Sequence, residues 1–287
     1  MRPRFLLLTP VCVFLGLALA VSDGQGVNAL DLALIVAAAL GAHISVNALN
    51  EYQDFDSGLD FQTPRTPFSG GSGALVAEPA CAPGALLLGQ LALLVSVLAG
   101  LLLVYRHGWQ LLPLGLLGVA LVASYTPWLN RFPVLCLLAP GLGFGTLMVL
   151  GSYFVLRGHF SWTAIWVSLL PFLLVNNLLL LNQLPDRFAD AQAGRRHLVV
   201  VRGVSAATRV YSLFSVLAWL VIGIAVWRAW LPGAGLLGLL TAPLMVWVMY
   251  TLPRQLQRNG NLVPCLAVNV VICLLTPVLL GIGLLLG

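Results

Sequence analysis

Long apolar runs separated by short polar stretches make up almost the whole chain. Nine runs stand out, at 3 to 22, 28 to 52, 80 to 104, 109 to 127, 132 to 156, 161 to 184, 205 to 229, 232 to 252 and 261 to 285. A helix that crosses a bilayer needs roughly 20 mostly apolar residues, and each run approaches or exceeds that length. Backbone polar groups in lipid must be satisfied within their own segment, and these runs are too long and too uniformly apolar to be barrel strands. The pattern predicts an all-α, polytopic membrane bundle of about nine transmembrane helices, forming a single domain over 1–287.

Composition agrees with that reading. The chain is 60% hydrophobic and 8% charged, with a mean hydropathy of +0.99, which leaves too little polar surface for a soluble domain of 287 residues. All basic residues other than histidine are arginine. With a cytoplasmic N-terminus and nine helices, Arg2, Arg4, Arg65, Arg131, Arg187, Arg195, Arg196, Arg202, Arg209, Arg254 and Arg258 fall on the cytoplasmic side. Arg106, Arg157 and Arg228 fall outside. Eleven against three predicts an N-in, C-out topology. The net charge of +5 is accounted for by this bias and calls for no nucleic-acid partner.

The first run also fits the outline of a cleaved signal peptide, with Arg2 and Arg4 ahead of it and Ala18-Leu19-Ala20 near its end. Its removal would leave the sidedness of the polar motifs unchanged. The cysteines Cys12, Cys81, Cys136, Cys265 and Cys273 lack Cys-x-x-Cys spacing and are expected to fill core space. His43, His107 and His159 are expected to be packing or interfacial residues. Gly141, Gly143, Gly145 and Gly151 are expected to serve close helix packing.

Polar chemistry concentrates at two helix ends. Of nine acidic residues, Glu51, Asp54, Asp56 and Asp60 lie at and just past the end of the second run, while Asp186 and Asp190 close the sixth. Asn47, Asn50, Glu51 and Asp54 are spaced i, i+3, i+4, i+7, and Asn182, Asp186 and Asp190 are spaced i, i+4, i+8. Each set shares one face if its helix persists through it. Both helices are even-numbered, so both ends emerge on the same side, and the four-helix interval suggests an internal duplication. The loop at 53 to 78 carries Ser69-Gly70-Gly71-Ser72-Gly73, which either folds over the site with its N–H groups or is a flexible connector.

Facing carboxylate clusters repel unless a cation joins them. Mg2+ takes one or two carboxylates and completes its oxygen shell with water and phosphate oxygens. With Arg65, Arg195 and Arg196 near as bidentate phosphate partners, the residues describe a diphosphate site at the membrane surface. A lipid diphosphate with its tail in an apolar channel is the expected ligand.

At these residues the chain resembles the UbiA-type intramembrane prenyltransferases, whose members have about nine transmembrane helices and two aspartate-rich cytoplasmic motifs. Asn50 to Asp60 and Asn182 to Asp190 match the two motifs. The spacing of Asn50, Glu51, Asp54 and Asp60, with Gly58 between, is most similar to the branch that prenylates 1,4-dihydroxy-2-naphthoate in menaquinone synthesis. Arg2-Pro3, the run Gly143 to Gly151, and Asp190 through Gly194-Arg195-Arg196 to Leu198 are similar too. The resemblance implies Mg2+ held by Asn50, Glu51, Asp54, Asp60, Asn182, Asp186 and Asp190. It also implies diphosphate contacts from Arg65, Arg131, Arg195, Arg196 and Asn47, and a shielding role for Tyr125 beside the allylic cation. The substrates implied are a polyprenyl diphosphate and an aromatic acceptor, in a cell inner membrane with the site facing the cytoplasm. Alternatives left open are another acceptor, an intramembrane terpene cyclase and a cation-coupled transporter.

Overall fold

The computed structural model describes residues 3–24 and 26–287, with no side-chain placement for Pro3 and Arg4, so the sequence expectations at Arg2 and the Arg4 side chain lie outside it. Eight helical spans are long and apolar enough to cross a membrane: α1 (Phe5–Ser22), α2 (Ala29–Asp56), α3 (Pro79–His107), α5 (Pro133–Arg157), α6 (Trp162–Gln192), α7 (Leu198–Trp227), α8 (Gly233–Gln257) and α9 (Val263–Leu286). Between α3 and α5 lies a shorter apolar helix, α4 (Trp109–Ser124). Among the described residues there is no strand.

Helix starts follow local chemistry. Asn28 caps α2 by accepting from the N–H groups of Leu30 and Asp31, and Ser161 caps α6 by accepting from Ala164. Proline stands in the first turn of α3, α5 and α9, where its missing N–H costs nothing. The polar ends differ from the pattern reading. Helix α2 runs on to Asp56 and α6 to Gln192, past the points where hydropathy falls. Hydropathy marks where a helix leaves the lipid core, and the hydrogen-bonded backbone continues beyond it. Helix α7 includes a break at Gly203 (φ 75°, ψ 174°), and the apolar run begins just after that break.

Core packing centres on α6, most of which is buried. Leu170, Leu174, Leu181 and Leu184 of α6 pack with Leu15 of α1, Tyr211 and Ile222 of α7, Met245 of α8 and Leu280 of α9. In lipid this association rests on close packing, because leaving the lipid tails gains no hydrophobic free energy. A smaller cluster joins Val13, Ile35, Leu103, Leu111 and Phe154 on the α2, α3 and α5 side. Four cysteines are buried and Cys81 is exposed.

The glycines of α5 divide by role. Gly141 and Gly145 press against Phe172 of α6, and a Cβ at either would meet its backbone, whereas Gly143 and Gly151 line a cavity. The same stretch, Gly141–Leu147, is π-helical, and the Gly141 N–H donates to Asn176 Oδ1 at 2.6 Å. Gly145→Ala is therefore expected to destabilise the bundle by about 1–3 kcal/mol, the usual cost of forcing atoms into a packed core. A lowered melting midpoint in detergent will show it, and an unchanged midpoint will contradict it.

Ends of helices meet as alternation requires. Asp54 of α2 touches Arg195 beyond α6, and Asn50 of α2 touches Thr126 beyond α4. At the opposite end Arg106 Nε and Asp31 Oδ1 lie 2.8 Å apart, locking the end of α3 to the start of α2.

Candidate active site

Because α2 persists, Asn47, Asn50, Glu51 and Asp54 do share one face, and that face lines a cavity of about 500 Å3. Because α6 persists through Pro185, Asn182, Asp186 and Asp190 line the same cavity from the opposite wall. Away from this polar mouth the wall is apolar, with Ile35, Val104, Leu112, Leu116 and Leu147 among its residues. Polar groups interrupt it at His43, Ser96 and Ser152. His43 is buried, its Nδ1 2.7 Å from the Thr9 hydroxyl and its ring edge-on to Phe144 at 4.4 Å.

Arg195 joins the two acidic helix ends. Its Nη1 donates to Asp190 Oδ1 at 3.0 Å, and its Nη2 donates to Asp54 Oδ1. Burial alone would weaken the guanidinium's hold on its proton. The carboxylates of Asp54 and Asp190 outweigh that and raise its pKa, so the cation is held firmly. At the other oxygen of the same carboxylate, His197 Nε2 meets Asp190 Oδ2 at 2.9 Å.

The glycine-rich loop folds over the mouth. Gly70 N–H donates to Asp186 Oδ2 at 2.9 Å, and Ser72 donates to Glu51 Oε1 through both its N–H, at 3.1 Å, and its hydroxyl. Gly70, Gly71 and Gly73 all have positive φ, at 77°, 65° and 75°. Only glycine takes this run of left-handed residues without strain. Asp60 is buried beneath the loop against Gly71 and does not line the cavity.

The other residues named from sequence fall in two groups. Tyr125 lines the cavity beside Arg195, and burial pushes its phenol well above the usual tyrosine range, so it stays neutral. Asn47 lines the cavity and donates to the His43 carbonyl at 3.0 Å. Arg65, Arg131 and Arg196 are exposed and do not line the cavity. Arg65 lies against Gly73 in the covering loop, while Arg196 is tied through its backbone N–H to the Asn130 carbonyl at 2.9 Å. Sequence reasoning missed His197. The turn that returns it to Asp190 shows only as Gly194, whose φ of 78° reverses the chain.

The donor set suits Mg2+. It consists of carboxylate and amide oxygens, and Asn182 Oδ1 is buried without a hydrogen-bond partner. Among the described residues no three His, Cys, Asp or Glu side chains gather closely enough to hold a metal ion alone. A hard cation that draws part of its shell from phosphate oxygens has no need of such a preformed cage.

Comparison with known proteins fits this geometry. The model of the UbiA prenyltransferase family matches residues 9–263. A 1,4-dihydroxy-2-naphthoate octaprenyltransferase of Bacillus subtilis is 30% identical over 244 residues, covering 80% of this chain and 74% of that protein. Among solved structures, an apo UbiA homologue from Aeropyrum pernix K1 superposes with a TM-score of 0.77 at 18% identity, covering 100% of this chain and 98% of that one. A UbiA homologue from Archaeoglobus fulgidus bound to GPP and Mg2+ gives 0.64 at 15% identity, covering 98% of this chain and 99% of that one.

Proposed function

We propose a specific reaction from a fixed premise: the chain belongs to the UbiA prenyltransferase family and is an integral membrane prenyltransferase. The reaction is Mg2+-dependent transfer of a polyprenyl group from polyprenyl diphosphate to 1,4-dihydroxy-2-naphthoate, as in menaquinone synthesis. What carries the reading is the pair of carboxylate-and-amide helix ends facing each other over a cavity that is otherwise apolar. The activity named for the Bacillus relative supports the acceptor. The arginine bias supports a mouth that faces the cytoplasm, in a bacterial or archaeal cell membrane.

Asn50, Glu51, Asp54, Asn182, Asp186 and Asp190 are the residues that would hold Mg2+, which when bound neutralises the diphosphate and stabilises it as a leaving group. Arg195 is placed to pair with the departing oxygens, exchanging one anionic partner for another. The Gly70 and Ser72 N–H groups already point at anionic oxygens and offer the same to a diphosphate. Asp60 acts through the loop it supports. The apolar wall takes the isoprenoid tail and keeps water from the allylic carbon as the C–O bond breaks. Tyr125 presents a neutral ring to the cation, whose carbon is then attacked by the electron-rich acceptor ring. With a naphthoate acceptor the ring also loses its carboxylate as CO2. No protein nucleophile is required.

The test is to incubate the purified protein with Mg2+, labelled polyprenyl diphosphate and a panel of aromatic acids, then weigh the lipid products by mass spectrometry. A prenylated, decarboxylated naphthoate is the expected product, and a chelator should remove it. Diphosphate release without an acceptor adduct would overturn the acceptor assignment. Transfer that ignores the chelator would overturn the metal.

A further inference from the structure

We propose that His197 is a positioning residue for Asp190, holding that carboxylate in the orientation that serves a divalent cation. The inference rests on the mouth being a metal–diphosphate site. Asp190 is 3% exposed, and its two oxygens have different partners. Oδ1 accepts from Arg195 at 3.0 Å, while Oδ2 accepts from His197 Nε2 at 2.9 Å. The guanidinium is shared with Asp54, and an arriving diphosphate competes for it. Nothing comparable competes for the imidazole.

His197 has one polar commitment in its side chain. It is 2% exposed, and its Nδ1 is buried with no hydrogen-bond partner. Its backbone opens α7, with its carbonyl accepting from Val201 N–H at 3.1 Å. The Arg195 N–H donates to the Asp190 carbonyl at 2.9 Å, which closes the turn and brings the ring back to the end of α6. The ring is therefore fixed by a helix start on one side and by Asp190 on the other. When Arg195 turns to an incoming anion, Oδ2 stays anchored and Oδ1 stays presented to the cavity. Partners that sit behind a metal ligand in this way are typically worth 10–100-fold in metal affinity.

Side-chain length supplies the test. Glutamine places its amide N–H about where Nε2 lies, whereas asparagine reaches only about as far as Nδ1. The full-length protein in detergent is titrated with Mn2+ in the presence of inorganic pyrophosphate, and binding is followed by electron paramagnetic resonance. His197→Asn should raise the Mn2+ dissociation constant by about 10–100-fold, and His197→Gln should restore most of the loss. Wild-type affinity in His197→Asn would overturn the proposal, and so would an equal loss in His197→Gln, which would mark the ring as packing only. If His197→Asn does not fold, His197→Thr, which offers a hydroxyl able to cap the helix start, takes its place in the same comparison. Failure of the wild-type protein to bind Mn2+ with pyrophosphate would count against the metal site itself, an outcome separate from any ranking of the variants.

Discussion

Asp186→Ala is expected to lower turnover by at least about a thousandfold while the bundle stays folded. The carboxylate lines the cavity near the end of α6, beyond the apolar core that holds the helices together. A loop N–H, that of Gly70, donates to it. Its removal should spare packing and strike at charge neutralisation of the leaving group. Lewis-acid stabilisation is worth several kcal/mol, and each ~1.4 kcal/mol is tenfold in rate. Asp54→Ala should behave alike from the facing helix. Initial rates of labelled prenyl transfer, read beside a melting curve in detergent, separate loss of chemistry from loss of fold. Appreciable activity in both variants would remove the two-motif site from the mechanism.

Arg195→Ala should be the second severe lesion, and its effect on stability should depend on metal. The guanidinium is the cation seen between Asp54 and Asp190, with 19% of its side chain exposed. Deleting it leaves two inward carboxylates facing each other. Removing one partner of a buried ion pair costs on the order of 3–5 kcal/mol, and the remaining exposure places this case at the low end, about 3 kcal/mol. Mg2+ should restore more stability to the variant than to the wild-type protein, because a second cation becomes available to the same oxygens. Turnover should fall about 10^2–10^3-fold even at saturating Mg2+, the usual cost of losing one charge-stabilising donor. A variant that melts like the wild-type protein without metal would show that the bridge carries no stability.

Helical periodicity explains why so much of the mouth could be read from sequence. Positions 47, 50, 51 and 54 share a face on any helix that reaches them, and so do 182, 186 and 190, so both walls followed once the helices were extended. The crossing contacts did not follow. Arg65, Arg131, Arg195 and Arg196 look alike in sequence, yet only Arg195 reaches the cavity. What singles it out is the turn after Gly194, whose direction depends on a backbone conformation and not on a hydropathy pattern. The covering loop is a similar case. A run of glycines permits left-handed residues, but the carboxylates of Glu51 and Asp186 decide where its N–H groups point. Among the glycines of α5 the spacing does carry over: Gly141 and Gly145, four apart, face α6, while Gly143 and Gly151 fall on the cavity side.

The shortness of α4 places a demand on the surrounding lipid. At ~1.5 Å per residue, Trp109–Ser124 spans roughly 24 Å, against a hydrocarbon core of ~30 Å. The exposed rings of Trp109 at one end and Trp128 just past the other prefer the headgroup level. Held there, they draw the two leaflets together along the wall of the cavity that α4 forms. Membrane thickness thereby becomes a variable of the enzyme: bilayers of shorter acyl chains relieve the mismatch beside the substrate channel, and longer chains add to it.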